Sequence, residues 1–375
     1  MTATDAFSIL VITSHRPAEV IHSISGLDAE TNVLSLDADA APPIRALAAL
    51  RRTDAAIRRH RPDLVLLDCF ETIGAPAVWV ASRREVPIVV RLVGDHWRTI
   101  EEERLAPARK RRDAPAYLRH RTSQALNCYI FDRADGFVTV STALRDVVTD
   151  RTGCQHERIG VVPIPITTDA FRTGSAAAAR AAFGIDTDLV LLTVTNLTFR
   201  AKYDGVRTIL PEVLPLLRAD DELSYVVAGG GQYHERLVAD LDDRIDDPAI
   251  RRRVHALGHV ETVADLYALA DVFAYVSDLD GYPNVVLEAQ TAGLPVVAND
   301  AYGMRDQIAD GDTGFLVDSE SPGALRRRIE LLLENPTMRR RIGARARLRA
   351  RRENDPEAIS DRLGSFLSAF VRDIR

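Results

Sequence analysis

The run Asp278-Leu279-Asp280-Gly281-Tyr282-Pro283-Asn284, continuing through Val285 to Glu288, places carboxylates, a turn and a helix start side by side. A helix start carries backbone N–H groups with no intrahelical partner and the positive end of the helix dipole, so such a run can hold an anion. Pro283 suits the first helical turn, leaving the amides of Gly281, Tyr282, Asn284 and Val285 as candidate anion donors. Glu288 then lies one to two turns into the helix while Asp280 stays in the loop, so the two acids address different parts of one extended ligand. Amides for phosphates and Glu288 for a diol together suit a nucleotide diphosphate. Asp278 and Asp280 also form an Asp-Leu-Asp triplet of the kind that binds metals, but an acidic turn ahead of a helix explains it more simply.

The elements that must position this run are short apolar stretches alternating with helical patterns in both halves of the chain. In the first half the strand candidates are FSILVITS, TNVLSLD, DLVLLD, VPIVVRLV and GFVTVS. In the second they are DLVLLTVTN, LSYVVAGGG, RRVHALGHV, DVFAYVS, LPVVAND and TGFLVD. Between the halves, VVPIPITTDAFRTGSAAAARAAFGID changes composition and reads as a linker. The expectation is two Rossmann-like, doubly wound α/β domains in tandem, spanning 1–168 and 186–354, joined by a linker over 169–185. A last helix over 355–375 is expected to pack back toward the first domain. Ligands of doubly wound sheets sit beyond the carboxyl ends of the strands, so a cleft between the two domains is expected. SPGALRRRIELLLEN and PTMRRRIGARARLRARR each open with a proline where a helix can start. Ser141 reads as the N-cap of a helix starting TALRD, and Gly229 to Gly231 as a tight strand-to-helix turn.

Composition excludes several classes. At 375 residues, with 46% hydrophobic and 27% charged residues and a net charge of −6, the chain is an ordinary globular protein with no general affinity for nucleic acid. Of its 48 Lys and Arg residues only Lys110 and Lys202 are lysine, so a lysine at a motif position stands out. Cys69, Cys128 and Cys154 fit neither a zinc spacing nor a disulfide framework, and the start of the chain reads as a strand rather than a leader. No apolar run approaches the roughly 20 residues of a membrane span; with the cysteine pattern, the expectation is a cytoplasmic chain with room for peripheral attachment to a membrane face. The segment 104–122, RLAPARKRRDAPAYLRHRT, is dense in arginine and carries Tyr117 and Leu118; it reads as a solvated face or as a contact with anionic phospholipid or a lipid diphosphate.

The run ADVFAYVS through DGYPNVVLEAQTAGLPVVANDAYGMRDQIADGDTGFLVD resembles the donor-binding signature of GT-B glycosyltransferases, in particular the retaining family 4 type. GFVTVSTALRD, TNLTFRAKYDG, YVVAGGGQYHERL and HALGHVETVADLYALAD agree in order. The resemblance implies transfer of a sugar from a nucleotide-diphosphate-sugar to a hydroxyl on a glycan, a lipid-linked acceptor or a small molecule, with retention and without a metal or other cofactor. It gives Glu288 the role of ribose ligand and Asp280 the place of the glutamate near the transferred sugar, one methylene shorter. Lys202 and Arg200 take the place of the basic pair that neutralises the diphosphate. Gly281, Tyr282, Pro283 and Asn284 line the donor. Asp95 and His96, in RLVGDHWR, stand near the position of the family's acceptor-side histidine. In the first half, SHRPAEV replaces the usual glycine-rich loop, and VVPIPITTDAF replaces the usual hinge. Nucleotide-sugar epimerisation, glycan phosphorolysis and binding without turnover remain open alternatives.

Overall fold

The computed structural model describes residues 7–14, 23–24, 27, 29–166, 171 and 173–374. The chain divides into two units, one of residues 1–165 with 354–375 and one of residues 166–353. Most of the loop SHRPAEV and residues 167–170 of the presumed linker lie outside the described residues. Within that linker stretch, Ala176–Phe183 forms a helix capped by Ser175, so part of it belongs to the second unit.

The first unit holds a six-stranded parallel sheet in the order β2-β1-β3-β4-β5-β6. Its strands are β1 (Ser8–Thr13), β2 (Glu30–Ser35), β3 (Leu64–Asp68), β4 (Ile88–Leu92), β5 (Gly136–Thr139) and β6 (Ile159–Val161). Helices α1 (Pro42–His60), α2 (Glu71–Arg83), α3 (Ala114–Phe131) and α4 (Thr142–Thr152) run between them. Strand β6 was not among the strand candidates: it is three residues long and ends where the composition changes ahead of Pro163, yet it pairs with β5 from Phe137 to Thr139. Ser141 caps α4 as expected, its Oγ accepting from Leu144 N at 3.2 Å, and Gly153 closes the helix at φ 71°.

The second sheet runs β12-β11-β10-β7-β8-β9, again all parallel. It comprises β7 (Leu189–Val194), β8 (Leu223–Ala228), β9 (Val254–Gly258), β10 (Val272–Tyr275), β11 (Val296–Asn299) and β12 (Gly314–Val317). Alternate residues of one strand enter opposite cores: Leu191, Val272 and Ala274 on one face, Val190, Phe273 and Tyr275 on the other. That double burial is why these strands read as unbroken apolar runs. Later helices are α5 (Arg200–Ala219), α6 (Val263–Leu269), α7 (Asn284–Ala292), α8 (Ala324–Glu334), α9 (Pro336–Glu353) and, in the first unit, α10 (Pro356–Ile374). Pro322 does not open α8; Gly323, at φ 75°, precedes it. The apolar face of α10, from Ile359 to Phe370, joins the core of the first sheet with Ile9, Leu66 and Val138.

Two strand neighbours in each sheet mark the reversal of strand order, β1 with β3 and β7 with β10. In open α/β sheets the ligand site lies at the carboxyl ends of such a pair. At the second of these reversals the packing is unusually close. A Cβ on Gly205 of α5 would stand 2.0 Å from the carbonyl oxygen of Val276, just beyond β10. An alanine inside a helix ordinarily stabilises it by about 1 kcal/mol over glycine. At residue 205 the sign is expected to reverse, with Gly205→Ala losing about 1–3 kcal/mol in urea unfolding because the helix must move off the strand end. A neutral or stabilising result would show that α5 is free to shift.

Candidate functional site: the ends of β7 and β10

Lys202 is the third residue of α5, which begins after the loop leaving β7. Its side chain is nearly buried, at 10% exposure, and its Nζ pairs with Asp280 in a very short contact. The same Nζ donates to Tyr275 Oη at 2.6 Å, and Tyr275 Oη donates to Asp280 Oδ2 at 2.5 Å. The three groups form a closed triangle of one cation, one anion and one phenol. Burial alone would raise the Asp280 pKa; the charge of Lys202 and the hydrogen bonds from Lys202 and Tyr275 outweigh it and hold the carboxyl below its ordinary value. Burial, then the charge of Asp280, raises the Tyr275 phenol well above its usual range, so Tyr275 stays a neutral donor.

The loop carrying Asp280 is fixed from both sides. Asn299, at the end of β11 and 2% exposed, accepts from Ser277 N at 3.0 Å and donates to Asp278 Oδ1 at 2.8 Å. Asp278 and Asp280 therefore turn to different partners instead of converging. From the following loop, Gly303 approaches so closely that a Cβ there would stand 2.1 Å from the Gly281 carbonyl oxygen. Pro283 is the cap of α7 rather than a member of its first turn, because its ψ of 120° is extended. Its carbonyl accepts from Val286 at 3.2 Å and Leu287 at 3.3 Å, so the amides that open the helix are those of Asn284 and Val285. Gln307 Nε2 steadies the same carbonyl at 3.0 Å, and Tyr282 is buried beside it.

Glu288 is the fifth residue of α7, one turn in. Tyr267 of α6 donates its hydroxyl to Glu288 Oε2 at 2.8 Å. Burial raises the Glu288 pKa, and the Tyr267 hydrogen bond opposes the rise. Arg200 does not join Lys202. It is 60% exposed and forms an i,i+4 pair with Asp204 on its own helix, at 3.2 Å. Tyr275 and Tyr267 escaped the sequence reading because a tyrosine in an apolar strand or helix reads as core; their hydroxyls became visible as partners only once the acids were placed.

In the first unit, Asp95 is 3% exposed and caps the short helix His96–Arg98, its Oδ1 accepting from Arg98 N at 2.8 Å. It thus holds the backbone that carries His96. The His96 ring packs on Phe70, centroids 3.9 Å apart, and lines a cavity of about 180 Å³ together with Glu71, Arg104 and Asn127. Glu71, first residue of α2 after β3, has φ +55°, a left-handed conformation that costs a non-glycine residue roughly 1–2 kcal/mol. Two contacts hold it there: its N–H donates to Asn127 Oδ1 at 2.9 Å, and its carboxylate accepts from Arg104 at 2.6 Å. Arg104 lies in a π-helical turn, Thr99–Leu105. Nothing in the sequence signalled Glu71, or singled out Arg104 within its basic segment as its partner 33 residues away. The basic segment 104–122 supplies Arg104 here, while Tyr117 and Leu118 are exposed on α3.

Burial, then the nearby charge of Arg104, pulls the His96 pKa down to about 4, so the imidazole is neutral near pH 7. Its folded value lies below the ordinary 6.5, so between pH 6.5 and about 4 the unfolded chain binds a proton that the folded chain refuses. Stability contributed above that window is lost as the pH falls through it. Denaturant unfolding at pH 7 and at pH 4.5 is expected to show a smaller drop for His96→Gln than for the native chain; equal drops would contradict the neutral imidazole.

With this geometry in view, comparisons with known proteins agree on its class. The pattern described as "Glycosyl transferases group 1" matches residues 176–349, and that described as "Glycosyl transferase 4-like domain" matches residues 6–165. A D-inositol 3-phosphate glycosyltransferase of Xylanimonas cellulosilytica is 32% identical over 228 residues, covering 59% of this chain and 54% of that protein. The capsular polysaccharide biosynthesis glycosyltransferase CapM of Staphylococcus aureus is 29% identical over 115 residues, 31% of this chain and 30% of its own length. The chain therefore spans about half the length of the curated relative from Xylanimonas. Among solved structures, Anabaena HepE in complex with UDP-glucose superposes with a TM-score of 0.71 at 18% identity, over 97% of this chain and all of that one. The sucrose-phosphate synthase of Thermosynechococcus elongatus gives 0.70 at 16% identity, over 98% and 100%. At those identities the likeness is one of fold, and the fold is GT-B. Two family patterns that between them run nearly the length of the chain, on two parallel six-stranded sheets, place this protein among the group 1 glycosyl transferases.

Proposed function

We propose that the protein transfers a sugar from a nucleoside-diphosphate sugar to a hydroxyl acceptor with retention of anomeric configuration. The observation that carries this reading is the buried Lys202–Asp280–Tyr275 triangle at the strand-order reversal, next to the open amides of α7. The donor diphosphate takes the Lys202 ammonium and the amides of Asn284 and Val285 as its counter-charge. Glu288, oriented by Tyr267, accepts from the ribose hydroxyls. Asp280 then faces the sugar. As the glycosidic bond breaks, negative charge collects on the departing diphosphate, where a cation already in place stabilises it most. Arg200 acts at the rim, as a mobile cation paired with Asp204 until an anion approaches.

UDP-glucose in the HepE structure makes UDP sugars the first donors to try, and the D-inositol 3-phosphate glycosyltransferases make a polyol phosphate the first acceptor. On the acceptor side, His96 is neutral and able to bind or orient a hydroxyl, with Asp95 holding its helix. The reading is tested by steady-state turnover with UDP, GDP and ADP sugars, with the product configuration read by NMR. Lys202→Ala is expected to lower kcat by about 10²–10³. Glu288→Gln is expected to raise the donor KM roughly tenfold with kcat little changed, as for lost uniform binding. Unchanged kcat in Lys202→Ala, or an inverted product, would contradict the proposal.

A further inference from the structure

The cavity beside His96 gathers more unusual features than any other place among the described residues outside the triangle. It sits at the carboxyl ends of β1, β3 and β4, at the first sheet's own reversal of strand order, and it contains a left-handed glutamate, a π-helical arginine and a half-buried imidazole. Strained backbone, π-helical turns and displaced pKa values each concentrate at functional sites. At residue 71 the left-handed backbone falls on a glutamate rather than a glycine, and its carboxylate reaches Arg104.

The polar groups around the cavity are only partly engaged. Arg45, from the first turns of α1, donates Nε to Thr72 Oγ1 at 2.6 Å and NH1 to the Ala38 carbonyl at 3.0 Å. Both acceptors are neutral, and among the described residues no carboxylate pairs with this guanidinium. Arg104 is paired once, with Glu71. Asn127, 3% exposed, uses its Oδ1 on the Glu71 amide, so its amide nitrogen remains to face the cavity it lines. The His96 ring touches Phe70 but neither ring nitrogen has a hydrogen-bond partner among the described residues. Among the described residues that line the cavity, two guanidiniums therefore oppose one carboxylate, and an imidazole stands next to them. A volume of about 180 Å³ holds several times the roughly 30 Å³ share of one liquid water, enough for an oxyanion and the first carbons attached to it.

We infer that this cavity is a subsite for the phosphate of a small hydroxylated ligand, with Arg45 and Arg104 taking the phosphate and His96 a neighbouring hydroxyl. Guanidinium groups match phosphate oxygens in pairs, which fixes the ligand's orientation as well as its charge. The strained Glu71 has a definite part: by taking one side of Arg104 it holds the guanidinium in a single direction, and among the described lining residues Arg45 is left with neutral acceptors alone. Calling the ligand the acceptor rests on the transferase reading; the phosphate site does not.

Calorimetric titration of the full chain with a hexose 6-phosphate, with inorganic phosphate and with the free hexose tests the inference. The sugar phosphate is expected to bind more tightly than either of the other two. Arg45→Ala should weaken it about tenfold or more, with Arg45→Lys in between. Lys202→Ala should leave it unchanged, since that residue belongs to the other unit. Melting temperatures of the Arg45 variants within a few degrees of the native chain would show that the loss is not one of folding. Four results would overturn the inference: no binding of sugar phosphate, binding indifferent to Arg45, binding lost only in Lys202→Ala, or inorganic phosphate binding as tightly as the sugar phosphate. Should nucleotides fail to bind or turn over while the Arg45-dependent titration persists, the transferase reading alone would fall.

Discussion

A charged ammonium at 10% exposure is the constraint on which the second unit depends. An unpaired buried cation costs far more than a folded domain can spare, so Lys202 requires an acid and further hydrogen bonding within reach. Asp280 and Tyr275 meet that requirement, and each must come from the strand next to the one that leads to Lys202. That adjacency demands close contact between α5 and the end of β10, which Gly205 permits. It also demands a stiff loop, which Asn299 and Gly303 impose from the neighbouring strand and turn. Removing one partner of such a triangle leaves the other two exposed to the full desolvation penalty, so the cluster stands or falls together.

The same logic recurs in the first unit with different chemistry. There too the strand order reverses, and there too a helix leaves the carboxyl end of a strand carrying a charged residue in a tight setting. Glu71 is held by a backbone hydrogen bond to a buried amide and by a guanidinium, where Lys202 is held by a carboxylate and a phenol. One sheet thus presents a nearly buried cation paired with an acid and a phenol. The other presents two guanidiniums beside a neutral imidazole. Parallel sheets place loops at one edge, and the reversal opens a space between two of them; the residues filling that space decide what is bound.

Much of this was readable in the sequence because burial on both faces leaves a plain mark. All six strands of the second sheet and five of the six in the first stood out as strand candidates, the central ones as buried apolar runs. Asp280 and Glu288 stood out from turn chemistry and helix position, Lys202 through the family resemblance helped by its rarity, and the fold places Asp280 against Lys202. What stayed hidden depended on tertiary contact. Strand β6 is too short to show a period, and Pro163 disguises it. Pro283 is compatible with either a cap or a first turn, and only its ψ decides. Arg200 sits two residues before Lys202, so the helix turns the two side chains apart. Glu71 adopts a conformation for which its residue type gives no hint, because Asn127 and Arg104, far along the chain, enforce it.

The central claim is that the Lys202 ammonium is placed to receive a diphosphate. The most direct measurement is the ratio of affinities for a nucleoside diphosphate and the matching monophosphate, in the native chain and in Lys202→Ala, for whichever base binds. The account predicts a clear preference for the diphosphate in the native chain that collapses in the variant, while monophosphate affinity barely changes. A diphosphate preference that survives the loss of Lys202 would contradict it.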